Sequence, residues 1–510
     1  MKRNLIIALL AILAGSFQAK AQPEGKTVVK VSMDNSIMTN NASWEGWGTS
    51  LCWWANRIGY NETLTQKSAD AFFNKDKGLG LNIMRYNVGG GDDPSHNHIT
   101  RTDSDVPGWM YIDKATGERK WDYTADKRQL NVLRAASKAA GKDAYIEIFS
   151  NSPPYFMTVS GCSTGNFKSD EDNIKSNEYD DFAEYMAHVA EYMTKTMKFD
   201  IRSVSPMNEP NTNYWPAMNY KQEGCHIDNG QSQSKLLELT RAAFDRHGLQ
   251  DILLTSSDET NPALQVEEIK TMSPAARKAI ERISVHTYGI NGIREMGQLA
   301  KDEKINLWMS EVDGNGTAGQ DAGEMAAGLW LADKIISDIQ GLEPSAWVLW
   351  QVIDTHVSKE GYKGRVDKGP LNTQKGYWGT AWADHDLEEI VLTQKYYAFG
   401  QFSRYIRPGS TVILCSTERS SGIRVLASVD AKHRSVTAVC VNLTAQDKPL
   451  TLSFDGITLS GKVRQIRTSG NFADGEHWSE TMGGKAAGSS HDLTLAPNSV
   501  TTFVIPCRKF

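Results

Sequence analysis

No run in this 510-residue chain approaches the ~18–20 consecutive apolar residues of a membrane-spanning helix, so membrane insertion is not expected. Basic residues are not in excess either. The 55 Lys and Arg face 61 Asp and Glu for a net charge of -6, which argues against a nucleic-acid partner held by a basic face. Cysteine is sparse: Cys52, Cys162, Cys225, Cys415, Cys440 and Cys507 are the whole set, with no CxxC and no Cys/His group at zinc spacing. A chain this long does not need disulfides to fold, and the pairing, if any, stays open. Cys440, inside the apolar run 437–441, reads as strand core. Gly89-Gly90-Gly91 lacks the Lys-Ser/Thr of a phosphate loop, the first strand carries no GxGxxG, and there is no HExxH. His96 and His98 stand as an isolated HxH in a polar loop, and no metal is expected there. Asp313, Asn315 and Glu324 fit calcium-loop positions, but Ala318 replaces the required glycine. The reading therefore calls for no cofactor and no metal.

What is present begins with a basic pair, Lys2 and Arg3, an apolar run over 5–13, and Ala19-Lys20-Ala21 as a small-x-small cleavage site. This is the pattern of a cleavable export signal over 1–21, so a periplasmic or secreted protein is expected. Ser16 stands where a lipidated cysteine would be needed, so no lipid anchor is expected. The composition, 40% hydrophobic and 23% charged, is globular.

The middle of the chain alternates short β-branched runs with helical patterns. Strands are expected at 46–53, 82–88, 144–150, 202–208, 252–257, 282–286, 305–310 and 345–350, with helices near 64–77, 124–140, 232–247, 263–280, 293–301, 322–340 and 392–406. Between the third and fourth strands, Phe182, Tyr185, Met186, Val189, Tyr192 and Met193 make one apolar helix face. Eight such units suggest an α/β fold, a closed (β/α)8 barrel over 44–406, although an open doubly wound sheet has the same local pattern. From about 407 the texture is β-rich without helical period, as in an antiparallel β-sandwich. A strand-like segment at 27–33, within 22–43, is expected to join it. The run 483–490 reads as a flexible Gly/Ala/Ser loop.

In such barrels the reactive side chains project from the C-terminal ends of strands. The fourth strand ends in Ser205-Pro206-Met207-Asn208-Glu209-Pro210 and the seventh in Ser310-Glu311. A Glu at a strand end is by itself most often a solvated loop residue. Two, on strands that face each other across a lumen, are the equipment for glycosidic cleavage: one carboxyl gives a proton, the other attacks or activates water. Asn208 offers a hydrogen bond to a sugar hydroxyl, Tyr288 in His286-Thr287-Tyr288 one to Glu311, and Trp350 a flat apolar face. Arg85 is either a lumen ion-pair partner or part of the site, and Glu147 reads as a salt-bridge residue. Asp258 and Glu259 read as solvated or capping. Side chains alternate across a strand, so Trp53 and Trp54 cannot both face the lumen; Trp54 is placed at the pocket, with His286.

Trp44-Glu-Gly-Trp-Gly-Thr-Ser-Leu-Cys-Trp-Trp-Ala55, Arg85-Tyr-Asn-Val-Gly-Gly90, Asn151-Ser-Pro-Pro-Tyr155, Ser205-Pro-Met-Asn-Glu-Pro210 and Ser310-Glu311 resemble, in order, glycoside hydrolase family 30. The resemblance implies a (β/α)8 barrel with a side β-module built from both termini. It also implies a retaining mechanism, with Glu209 as acid/base and Glu311 as nucleophile. The family's sugar-binding positions fall on Asp92, Tyr155, Asn208, Tyr288 and Trp350. The 44–55 opening and Asn151-Ser-Pro-Pro are most similar to the endo-β-1,6-galactanases, which implies β-1,6-galactan side chains of type II arabinogalactan as substrate. Other family activities (β-1,6-glucanase, glucosylceramidase, xylanase), or a glycan-binding protein on a decayed barrel, are the alternatives. The segment 215–225 is expected to shape a subsite. A polysaccharide or oligosaccharide is the expected partner, and the chain is expected to act as a monomer.

Overall fold

The computed structural model describes residues 26–101, 104–313, 322–359 and 378–510. The expected leader over 1–21 and most of the calcium-like run lie outside the described residues. Eight parallel strands close into a barrel: Gly46–Ser50, Ile83–Asn87, Tyr145–Phe149, Ile201–Ser205, Leu253–Glu259, Arg282–His286, Asn306–Glu311 and Ala346–Leu349. The last pairs with the first, Ala346 opposite Gly46, which excludes the open sheet. Helices alternate with the strands, among them Lys127–Ala140, Tyr179–Glu191, Gln231–Arg246, Ile293–Glu303, Met325–Leu342 and Gln394–Ser403.

Alternation puts every second strand residue into the lumen, and the lumen is filled in layers. At its base Ile83, Trp308, Ala346 and Val348 form a small apolar cluster against Tyr145. Above it the Arg282 guanidinium lies 3.4 Å from the Trp308 ring centre and pairs with Glu147, which also binds Arg85 Nε at 2.9 Å. All three charged groups are buried. An isolated charge here would be prohibitively costly, so the arrangement stands only because each is paired.

Three expectations need correction. The first strand stops at Ser50, and Cys52–Ile58 is a helix, so the alternation argument for Trp53 and Trp54 does not apply. The helix expected over 263–280 is two, Pro262–Thr271 and Pro274–Ala279; Pro274 starts the second, and Ser273 caps it by accepting from Ala276 N. The run 483–490 is not a loop. It lies mainly in the strand Glu476–Gly488, which pairs along Thr458–Ser469; cross-strand hydrogen bonding carries it despite its small side chains, and the turn comes at Gly488, with φ +79°.

The strands from Thr411 onward form a nine-stranded sheet together with Thr27–Ser32. The N-terminal strand pairs in parallel with Lys448–Asp455 at one end of the sheet. Ser36 then bridges to Ile413 on the strand at the other end, so the sheet wraps round upon itself. Val29, Val31, Ile413, Val425, Leu452 and Phe503 share the core that results. Its other face merges with the barrel: Leu426, Val439 and Val500 belong to the same cluster as Trp47, Phe399 and Phe402. All six cysteines are buried and unpaired.

Candidate active site

Glu209 and Glu311 meet at the top of the barrel. One carboxylate oxygen of each and a ring nitrogen of His286 lie within 4.8 Å of one another. Two irregularities bring acids inward that regular alternation would not. The register shifts between Met309 and Glu311 against the sixth strand, so Glu311 stands opposite His286. It shifts again between Ser257 and Glu259, where Asp258 has φ +59°. Such bulges re-aim side chains next to active sites. Glu209 itself holds φ +46°, a left-handed conformation that costs about 1–3 kcal/mol in a non-glycine residue. Its N–H donates to Asp258 O at 2.9 Å, which helps hold it there.

Each carboxylate is oriented by named donors. Arg85 gives Nη1 to Glu311 Oε2 at 3.1 Å and Nη2 to Asp258 Oδ2 at 2.8 Å. The Tyr288 hydroxyl donates to Glu311 Oε1 at 3.1 Å. Glu209 accepts from the Tyr214 hydroxyl at 2.6 Å and sits 3.1 Å from His286 Nδ1. Trp215 Nε1 donates to the Glu209 carbonyl at 3.1 Å. Ser310 Oγ donates to Asp258 Oδ1 at 2.5 Å.

Burial pushes the Glu311 carboxyl up to about 7, against the pull of His286 and Arg85 and with the help of Glu209 and Asp258. Burial works to lower His286, but Glu311, Asp258 and Glu209 outweigh it and raise the imidazole to about 10. Burial would raise Asp258 as well; Arg85 overrides it and holds that carboxylate well below its ordinary range. Three cations (Arg85, Arg282, His286) thus face four carboxyl groups (Glu147, Asp258, Glu209, Glu311) in one connected cluster.

The two acids open onto a cleft of about 320 Å³. Its wall includes Asn208, Tyr288 and Trp350, as the sequence implied, and also Trp53, Arg101, Tyr214, Trp215, Asp313 and Trp378. Asn208 presents a buried Oδ1 with no partner among the described residues. Trp53 meets Trp350 edge-on at 5.2 Å, and the Arg101 guanidinium lies 4.9 Å from the Trp53 ring centre. Asn219, Lys221 and Gln222, from the segment expected to shape a subsite, stand on the same wall.

Other expected residues lie elsewhere. Trp54 is fully buried behind the first strand, its Nε1 donating to Ser50 O at 2.8 Å and its ring packed edge-on against Phe72; helical geometry turns Trp53, not Trp54, to the cleft. Asp92 and Tyr155 line a neighbouring recess of about 450 Å³. Asp258 and Glu259 are fully buried rather than solvated, because the fifth strand runs on through them. Glu259 accepts from Asn211 N at 2.5 Å, and burial raises it to about 7. Tyr214 and Trp378 went unremarked in the sequence, since no spacing ties them to the acids. Gly161-Cys162-Ser163-Thr164-Gly165 has the spacing of a nucleophile elbow, yet it lies in a loop with no strand before it or helix after it, and Ser163 Oγ is buried.

Comparison with known proteins places this site in context. Residues 29–259 match the family described as O-glycosyl hydrolase family 30. The chain is 27% identical over 505 residues to an endo-β-1,6-galactanase of Hypocrea rufa, covering 94% of this chain and 92% of that protein. It is also 27% identical to an exo-β-1,6-galactobiohydrolase of Bifidobacterium longum subsp. longum, over 80% of this chain but 32% of the longer relative. Among solved structures, a conserved exported protein from Bacteroides fragilis superposes with a TM-score of 0.74 at 19% identity, covering 94% of this chain and 100% of that one. At that identity the likeness speaks for the fold.

Proposed function

We propose, from the match of residues 29–259 to O-glycosyl hydrolase family 30, that the chain is a retaining β-glycosidase in which Glu209 is the acid/base and Glu311 the nucleophile. The observation that carries this reading is the closeness of the two carboxylates, with oxygens no more than 4.8 Å apart over one cleft. Retaining enzymes hold their carboxyl groups about 5–5.5 Å apart, whereas inverting ones need roughly 6.5–9.5 Å to admit water. As nucleophile Glu311 has to be ionised, which burial opposes and His286 and Arg85 favour.

In the first step Glu209 passes its proton to the glycosidic oxygen while Glu311 attacks the anomeric carbon. The carbon–oxygen bond breaks, the leaving sugar departs as an alcohol, and a glycosyl ester forms on Glu311. In the second step Glu209, now ionised, takes a proton from water, whose oxygen displaces Glu311. Tyr214 and His286 orient Glu209, Arg85 and Tyr288 orient Glu311, and Asn208 supplies a polar contact for a sugar hydroxyl. Trp53, Trp350 and Trp378 give the cleft the apolar faces against which sugar rings pack.

The substrate we assign is β-1,6-linked galactan, with endo action. Support comes from the two relatives whose names carry that linkage and from the match to the galactanase across nearly its whole length. The basic and apolar pattern of residues 2–21 supports export. The test is incubation with de-arabinosylated arabinogalactan, β-1,6-glucan and xylan. Release of β-1,6-galacto-oligosaccharides from the first alone is the expected result; activity confined to another glycan would reject the substrate and leave the chemistry standing. Glu311→Ala abolishes turnover, and azide restores it as a glycosyl azide; an undiminished mutant would overturn the assignment of roles.

A further inference from the structure

Behind the turn that carries Glu209, two acids are buried in contact with each other. We propose that Glu259 and Glu268 share one proton, and that Glu259, through this pairing, is a positioning residue that fixes the Glu209 turn for proton transfer. The inference rests on the acid/base role given to Glu209 above.

Both residues are fully buried. Glu259 ends the fifth strand, and Glu268 lies on the helix Pro262–Thr271, which packs against that strand. Their carboxyl groups are within hydrogen-bonding reach of each other. Among the described residues no Lys, Arg or His forms an ion pair with either one; what faces them is Asn211, Thr260, Gln233, Ser257 and the charge of Glu209. Two carboxylates in contact, out of water and without a counter-ion, repel each other, so one keeps its proton.

The hydrogen bonds say which. Glu259 accepts from two backbone N–H groups, Asn211 N to Oε1 at 2.5 Å and Thr260 N to Oε2 at 2.9 Å, the surroundings of an ionised group. Glu268 Oε1 accepts from Gln233 Nε2 at 2.9 Å, whereas its Oε2 is buried and has no donor. Gln233 cannot be turned round to change this. Its Nε2 also donates to Ile227 O at 3.1 Å, and its Oε1 accepts from Ser257 Oγ at 3.3 Å. Glu268 Oε2 is therefore the atom that carries the hydrogen and gives it to Glu259, and a hydroxyl donated to a carboxylate is among the strong hydrogen bonds. Burial and the charge of Glu259 push Glu268 well above its ordinary value, in the same sense.

The pair matters for Glu209 because residues 258 and 259 grip its turn at both ends. Asp258 O accepts from Glu209 N at 2.9 Å, and Glu259 accepts from Asn211 N. Between those anchors Glu209 holds φ +46°, a conformation that persists only where its surroundings enforce it. A proton on Glu259 itself would turn one of its oxygens from acceptor to donor, against a backbone N–H. With the proton on Glu268, both oxygens stay acceptors and the turn stays closed.

The test uses the full-length chain at pH 7 and two substrates with the same sugar and different leaving groups, a β-1,6-galacto-oligosaccharide and dinitrophenyl β-1,6-galactobioside. Departure of a sugar needs the proton of Glu209; departure of dinitrophenolate does not. In Glu259→Gln, kcat/KM for the oligosaccharide should fall about 10-fold or more and that for the dinitrophenyl glycoside less than about 3-fold, since general acid catalysis of ~10²–10⁴-fold is what a misplaced acid forfeits. Should Glu259→Gln not fold, Glu259→Asp, which withdraws the carboxylate from Asn211 N, takes its place. Glu268→Gln, whose amide N–H replaces the acid O–H, should keep both values. The infrared difference spectrum, parent minus Glu268→Gln, should show one carboxylic acid carbonyl band that shifts in D2O. Equal losses on the two substrates in Glu259→Gln, a loss in Glu268→Gln as large as in Glu259→Gln, or no such band would each overturn the inference. Glu209→Gln is measured alongside. If it discriminates between the substrates and Glu259→Gln does not, the inference alone fails; if Glu209→Gln does not discriminate either, the role given to Glu209 fails and takes the positioning role with it.

Discussion

Glu311 shows how one residue serves chemistry at the expense of the fold. Its carboxyl is raised in the folded chain from an ordinary 4.5 to about 7, burial being the main cause. A folded value above the unfolded one means that the protonated form is the stabilising one. That stabilisation is fully present below about 4.5 and is lost as pH rises through 7. Above 7 a buried charge remains that a neutral amide would not carry. Glu311→Gln should therefore melt at a higher temperature than the parent at pH 8, with the difference shrinking toward pH 5. A mutant that is less stable at pH 8 would show that Arg85 and His286 stabilise the carboxylate more than burial penalises it. Arg85 is the counterpart: three of its nitrogens reach Glu147, Asp258 and Glu311, so it belongs at once to the lumen's ion-pair layer and to the site. The ion-pair reading of it from the sequence is what these contacts show.

At the scale of elements, strands were the legible part. Apolar β-branched runs flagged all eight barrel strands, and Arg282–His286 has the bounds expected of it. The ends of strands were less legible. Which residue points inward there depends on a bulge, as at Ser310–Glu311 and at Asp258, and a bulge is decided by the neighbouring strand rather than by local pattern. The same holds for Trp53 and Trp54, where extended and helical chain assign opposite faces to the same two letters. Tyr214 touches Glu209 only because a loop folds back, which no periodicity encodes. Close approach of loops also explains a glycine. A Cβ on Gly90 would lie 2.4 Å from Pro153 O and 2.8 Å from Ser152 O, so the loop carrying Asp92 can pass the Asn151-Ser-Pro-Pro segment only without a side chain. Gly90→Ala should cost about 1–3 kcal/mol, seen in denaturant unfolding, and lower activity with it; a neutral effect on both would mean that the loops part freely.

Across the whole molecule, the side module braces the barrel. The helix Gln394–Ser403 lies between them. Trp478 of the module donates Nε1 to Tyr397 O at 2.7 Å, and its ring occupies the space that a Cβ on Gly400 would need, 2.2 Å away. With residues of both parts in one apolar cluster, barrel and module should unfold in a single transition. Trp478→Ala should lower stability by roughly 3 kcal/mol without splitting that transition. Two separate transitions, either in the parent or in the mutant, would show the module to be an independent attachment.

The central claim is that Glu209 and Glu311 act in turn on the same anomeric carbon, so that configuration is inverted twice. Proton NMR of the first minutes of hydrolysis of a β-1,6-galacto-oligosaccharide, before the reducing end mutarotates, tests it most directly. The β-anomer should appear first and the α-anomer only later, by mutarotation. Initial appearance of the α-anomer would mean a single displacement by water and would contradict the account of the site given above.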